Sequence, residues 1–142
     1  MTIAIINTDM NIGPFKIPGN GQNMILNFYA ERKGISVEEI IPEPFKSPDL
    51  ATTLWTHKRK KLTKVILCSI HQLPQEKKRI NILLDKMKKV EFHFVLEGIS
   101  GKGKKFLIEC ISEAKIFKNA KIIDSKNTSW TKLYNKLKKN KK

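Results

Sequence analysis

In the segment VILCSIHQLP, residues 65–74, the polar residues Ser69, His71 and Gln72 come directly after an apolar run of Val65, Ile66, Leu67 and Cys68. A hydroxyl, an imidazole and a carboxamide at the end of a buried segment can converge on a polar ligand. Joined by a carboxylate they could form a nucleophilic triad. Glu97 ends the hydrophobic stretch FHFVLE; partial desolvation there would raise its pKa and suit it to general acid–base work. The spacing argues against a triad. No G-x-S-x-G turn surrounds Ser69, which leaves the serine without the strained elbow that exposes a nucleophile. Two steps along an extended strand separate Ser69 from His71 by about 6–7 Å. Binding is one reading, with Glu97 or His71 as the acid–base group if a ligand is turned over. The other is that Ser69 and His71 satisfy backbone groups at a loop start and that Glu97 pairs with a lysine.

Further polar residues stand at comparable places. Asn7 and Thr8 follow the apolar segment Ile3–Asn7, Glu43 follows a second extended segment, and Gln22 and Asn23 open a helical stripe. The stretch from Gly98 to Lys104 fits the first part of a phosphate-loop pattern, but Lys105 stands where Ser or Thr would hold magnesium. A lysine-rich glycine turn is the simpler reading. His57, His71 and His93 show no ligand spacing, and no C-x-x-C occurs, so a metal site is not expected. His93, between Phe92 and Phe94, reads as a sheet-face histidine.

Strand–helix alternation must position these groups. Ile3–Asn7, Ser36–Ile41, Lys64–Ser69 and Glu91–Leu96 read as strands, and Ala120–Asp124 as a short fifth. The apolar spacing of Met24, Ile25, Phe28 and Tyr29 predicts a helix over 22–33, ended by Gly34. Asp49 can cap a helix through Lys60. Ile80, Leu83, Leu84 and Met87 mark a helix over 75–89, Phe106 to Ala114 one over 104–117, and Ser129 can cap a last one through Lys138. The fold class predicted is α/β: a three-layer sandwich with a mainly parallel four- to five-stranded sheet in the flavodoxin-like order 2-1-3-4(-5). Residues 1–125 form the α/β domain, and 126–142 a basic helix and tail. In open sheets of this type, ligands bind outside the carboxyl ends of the strands, which predicts one shared mouth lined by Asn7, Thr8, Glu43, Ser69, His71, Gln72 and Glu97.

The 142 residues carry a formal charge of +15, from 28 basic and 13 acidic residues. Clustered lysines neutralise phosphates and release counterions, the signature of nucleic-acid binding. Compositional bias is the competing account: only Arg32, Arg59 and Arg79 are arginines, whereas nucleic-acid sites favour the arginine fork. The charge is uneven, since residues 119–142 hold eight Lys against one Asp. His57–Lys64 is a second basic run, which also suits an exposed helix end. No apolar stretch approaches the ~18 residues of a membrane span. Two cysteines, Cys68 and Cys110, make a disulfide framework improbable and favour a reducing, cytoplasmic setting.

Two family resemblances rest on quoted residues. Ile17-Pro18, Gln22-Asn23 with Tyr29, Glu43, then Ser69-Ile70-His71-Gln72-Leu73-Pro74, Arg79 and Phe94-Val95-Leu96-Glu97 resemble the pattern of the sporadic carbohydrate cluster proteins over residues 3–98. Cys68 departs from that pattern, which has Tyr. The resemblance implies a cytoplasmic role in making surface polysaccharides or unusual sugars, without an established reaction. On that implication a sugar or sugar nucleotide binds Asn7, Gln22, Asn23, Glu43, Ser69, Gln72 and Arg79, with Arg79 pairing a phosphate or carboxylate; no cofactor is implied, and other biosynthetic enzymes are candidate partners. The chain is more distantly similar to the catalytic domain of serine recombinases (resolvases). Ile5-Ile6-Asn7 stands where that family has R-V-S, and Gln72-Leu73-Pro74-Gln75 where it has R-L-x-R. That resemblance implies a shared fold without the nucleophilic serine or the phosphate-gripping arginines. The alternative function is therefore a non-catalytic nucleic-acid-binding protein using the basic tail. A scaffold that dimerises through an exposed helix is a third reading.

Overall fold

Ile, Val and Phe fill the segments that become central strands, because a parallel sheet covered on both faces excludes water from both sides of each strand. A computed structural model describes residues 1–9, 11–43 and 61–124. Five strands form one sheet: β1 (Thr2–Asn7), β4 (Glu39–Glu43), β5 (Lys64–Leu67), β6 (Glu91–Phe94) and β7 (Ile99–Gly101). Their order is β4-β1-β5-β6-β7. The first four run parallel, and β7 returns antiparallel beside β6, with Phe94 opposite Ile99. A separate ribbon pairs β2 (Asn11–Ile12) with β3 (Phe15–Lys16). Three helices are described: α1 (Gly19–Lys33), α2 (Lys77–Lys86) and α3 (Lys104–Asp124).

Alternation along the strands splits the core into two layers. Ile3, Ile5, Val65, Leu67, Phe92 and Phe94 face one way, against Leu83 and Met87 at the end of α2 and Leu107, Cys110, Ile111 and Ala114 of α3. Ala4, Ile66 and Cys68 face the other way, against Leu26 and Ala30 of α1 and Ile12 of the ribbon. Helix α1 stops at Gly34, whose left-handed φ of 66° lets its N–H reach back to the carbonyls of Ala30 and Glu31.

The predicted order of the four parallel strands matches the sheet. The fifth strand does not lie where the sequence placed it. Ala120–Asp124 is the last part of α3, and the edge strand is Ile99–Gly101. The second strand is shifted from Ser36–Ile41 to Glu39–Glu43 and includes Pro42, which an edge strand tolerates because no inner neighbour needs its missing N–H. The third and fourth strands end earlier, at Leu67 and Phe94, because the chain leaves the sheet there and enters turns. Helix α1 starts three residues before Gln22, and α2 is shorter than 75–89. The region read as a plain loop before α1 contains the β2–β3 ribbon. The helices expected over 49–60 and 129–138, residues 57–60 of the basic run and the tail 126–142 lie outside the described residues. Among the described residues no helix is long and apolar enough to cross a membrane.

Candidate functional site

The ends of β1, β5 and β6 converge, and their side chains bond chiefly to backbone. Gln22, fully buried in the first turns of α1, clamps Asn7 at the end of β1. Its Oε1 accepts the Asn7 N–H at 2.7 Å, and its Nε2 donates to the Asn7 carbonyl at 2.7 Å and to that of Ile17 at 2.8 Å. A carboxamide suits this position because it offers an acceptor and two donors from one planar group. Gln72 does the same for β5. Its Oε1 accepts from the N–H groups of Cys68 and Ser69 at 2.9 and 3.2 Å, and its Nε2 donates to the Ile5 carbonyl at 3.1 Å. The amide thus continues the β1–β5 ladder past its last backbone pair.

Ser69 caps the single 3-10 turn Ile70–Gln72. Its Oγ accepts the His71 N–H at 3.2 Å and donates to Glu97 Oε2 at 2.7 Å, while Glu97 Oε1 accepts the Ile70 N–H at 2.9 Å. The carboxylate therefore ties the exit of β5 to the exit of β6, beside backbone bonds from Val95 and Leu96 to the carbonyls of Leu67 and Cys68. The hydroxyl proton of Ser69 points to Glu97, and His71 meets Ser69 through its backbone. This is a capping arrangement, not the proton path of a nucleophilic serine. The His71 ring lies edge-on to Phe15, 6.2 Å between centroids. Burial holds its pKa below the usual value, with the Glu97 charge pulling the other way.

Asn7 and Glu43 are register neighbours on β1 and β4, and both are buried. Asn7 Oδ1 accepts the Asp9 N–H at 2.9 Å, and the Glu43 carbonyl accepts the Thr8 N–H at 3.1 Å. The carboxyl end of the sheet thus gathers Asn7, Glu43, Ser69, Gln72 and Glu97 of the predicted mouth, with Gln22 of α1 bonded to Asn7 beside them. Asn23 lies on α1, where its Oδ1 is 3.5 Å from Asn27 Nδ2. Arg79 lies on α2, with Nε 3.5 Å from Glu76 Oε2. The Gly98–Lys104 segment forms β7 and the turn into α3, so its backbone pairs with β6 in place of cradling a phosphate. Among the described residues no group of three His, Cys, Asp or Glu could hold a metal ion.

A second polar chain, which sequence spacing did not reveal, crosses the α1 face of the sheet. Tyr29 Oη lies 2.7 Å from His93 Nδ1. His93 Nε2 is 3.3 Å from Glu91 Oε2, within range of charge attraction, and Lys64 Nζ is 3.9 Å from the same oxygen. The buried Nε2 makes no hydrogen bond among the described residues, so the fixed contact of the ring is the one to Tyr29. Burial, and secondarily Glu91, pushes the Tyr29 phenol above its usual pKa. His93 is a sheet-face residue, as its place between two Phe suggested; its partners come from α1 and its own strand. Beside it a cavity of about 520 Å³ opens between α1 and the β6–β7 turn. The signal available in the sequence was the pair Phe28-Tyr29 followed one helical turn later by Arg32-Lys33.

The fold is similar to that in the "Crystal Structure of the N-terminal Catalytic Domain of TP901-1 Integrase", at a TM-score of 0.58 and 16% identity, covering 84% of this chain and 98% of that one. The likeness is one of fold, and it supports the resolvase-type architecture. No protein-family model matches the chain, and no curated protein matches it significantly. The resemblance to sporadic carbohydrate cluster proteins gains no support from these comparisons.

Proposed function

We propose that this chain is a nucleic-acid-binding protein on a resolvase-like fold that does not cleave strands. The observation that carries the reading is the course of α3. The helix packs on the sheet through Leu107, Cys110, Ile111 and Ala114 and runs on to Asp124. Its 21 residues, about 31 Å long, lead from the core to the segment 119–142 with its eight lysines. Such a charge run, continuous in sequence with a helix packed on the sheet, supplies phosphate contacts. Two further features support binding without cleavage. Asn7 occupies the place at the end of β1 where the recombinase pattern has its serine, and its backbone is clamped on both sides by Gln22. Ser69, a hydroxyl at the mouth, is spent on the turn and on Glu97.

The same bonds weigh against a sugar or sugar nucleotide at the mouth. Gln22, Ser69, Gln72 and Glu97 already direct their polar atoms to protein groups, and a ligand would have to replace bonds made in a buried setting.

Fluorescence anisotropy of labelled duplex DNA and RNA tests the proposal. The logarithm of the binding constant should fall linearly with the logarithm of salt concentration, and removal of residues 126–142 should weaken binding and flatten that slope. Supercoiled plasmid incubated with the protein and magnesium should stay uncut. A flat salt response, or a truncated chain that binds as the intact one does, would overturn it.

A further inference from the structure

Helix α1 carries two aromatic residues and two cations in matched rows. Phe28 and Arg32 are four residues apart, as are Tyr29 and Lys33. Residues four apart on a helix are neighbours, about 5–6 Å between Cβ atoms, so each row sets a cation one turn beyond a ring. Both rows line the 520 Å³ cavity, whose opposite wall includes Val95 and Ile99. Phe28 is 63% exposed, a large apolar ring left in solvent. Tyr29 is fixed by its 2.7 Å bond to His93, with the two rings 5.6 Å apart and edge-on. Lys33 Nζ lies 6.0 Å from the centroid of the Tyr29 ring. Among the described residues no carboxylate pairs with Arg32 or Lys33. The cavity therefore joins a flat apolar floor to an uncompensated positive rim, within the size range of small-molecule sites.

We infer that this cavity takes one unpaired nucleotide: the base stacks against Phe28 and the wall of Val95 and Ile99, and its phosphate meets Arg32 and Lys33. A nucleotide has the required shape, a flat aromatic ring held a short sugar's length from an anion. Stacking on an aromatic side chain is tolerant of sequence because every base has a π face. A duplex cannot offer its bases this way, since they are stacked on each other. The inference rests on the nucleic-acid reading above and narrows it: the basic tail holds phosphates of any strand, and the α1 cavity selects single-stranded ones. A free nucleoside monophosphate carries the same chemistry and would occupy the same cavity.

The test uses the full chain and three labelled ligands of equal length at one salt concentration: a single strand, an abasic single strand and a duplex. Adenosine monophosphate serves as competitor. Wild type should bind the base-bearing strand about tenfold tighter than the abasic one, the magnitude expected of one stacked base. Phe28→Ala should erase that preference and leave duplex binding unchanged, with an unaltered unfolding midpoint because the ring is exposed. Arg32→Gln should weaken the base-bearing strand more than the duplex. Adenosine monophosphate should compete with the base-bearing strand and not with the duplex; absence of competition at millimolar concentration overturns the inference. Equal wild-type affinity for base-bearing and abasic strands, or a Phe28→Ala protein that keeps the preference, overturns the inference while duplex binding upholds the parent reading. Binding to none of the three removes both.

Discussion

A methyl group placed on Gly13 would stand 2.3 Å from His71 Cγ, closer than any non-bonded pair of carbons tolerates. Gly13 turns the β2–β3 ribbon with a φ of +58°, a conformation glycine adopts without the steric cost other residues meet. The ribbon therefore closes over the His71 ring, which also meets Phe15 from its side. Gly13→Ala should destabilise the protein by about 2 kcal/mol or more, from the left-handed backbone and the collision together. Urea unfolding of Gly13→Ala, His71→Ala and the double variant separates the two. The double variant should recover the collision but not the backbone cost, giving a favourable coupling energy. Additive effects would show that the ribbon does not sit on His71.

Glu97 bonds to the Ser69 hydroxyl and the Ile70 N–H, and those bonds define its role as a cap linking two strand ends. Glu97→Ala should cost about 1–3 kcal/mol, the range for leaving buried polar partners unsatisfied. Glu97→Gln keeps one acceptor for Ile70 N–H, and should retain most of the stability. The two variants therefore differ in unfolding midpoint. An acid–base role would make them equally harmful to function, and a large loss of stability in Glu97→Gln would show that charge matters more than the cap geometry.

Gln22→Ala removes the side-chain bonds to both backbone groups of Asn7, and Gln72→Ala those to two N–H groups and one carbonyl. Each should destabilise by about 2–3 kcal/mol. Amide exchange at Asn7 should quicken in Gln22→Ala, and at Cys68 and Ser69 in Gln72→Ala. Exchange at wild-type rates would mean that other groups hold these ends.

The parallel strands were legible because near-continuous runs of Ile, Val, Leu and Phe mark a sheet covered on both faces. The edge strand Ile99–Gly101 was not, since three residues ending in glycine look like a turn until β6 is there to pair with them. Ile122-Ile123 favoured a strand locally, but a helix already propagating from Lys104 adds each further residue at little cost. Gly19 and Gly21 concealed the start of α1, because glycine disfavours helix by roughly 1 kcal/mol. At the site, the sequence located Ser69, Gln72 and Glu97 at strand ends and Gln22 at the opening of a helix, but did not distinguish ligand binders from backbone clamps. Amides and carboxylates serve both uses, and only distances to specific N–H and C=O groups separate them.

Both thiols should be inert in the folded protein. Burial, reinforced by the Glu97 charge, pushes the Cys68 thiol up to about 12. Burial and the charges of Glu113, Glu97 and Glu109 push Cys110 up to about 11. At pH 8 the reactive thiolate fraction of either is far below that of an ordinary cysteine. Iodoacetamide at that pH should label neither in the native state and both in denaturant, by mass spectrometry. Rapid labelling of native Cys68 would contradict its place under α1.

His71 links stability to pH in a stated direction. Desolvation sets its folded pKa below the usual 6.5, and the Glu97 carboxylate offsets only part of that. As pH falls, the unfolded chain takes up this proton first, so folding becomes less favourable between about 6.5 and the lower folded pKa, below which the loss stops growing. The His71 contribution is thus intact above about pH 6.5 and lost on acidification. Unfolding free energies at intervals between pH 5 and 8 for wild type and His71→Gln isolate it, because His57 and His93 are common to both. The difference should favour wild type most at the alkaline end and shrink toward pH 5. A difference that grows on acidification would mean that the Glu97 attraction outweighs burial and that His71 is held charged beside the cap.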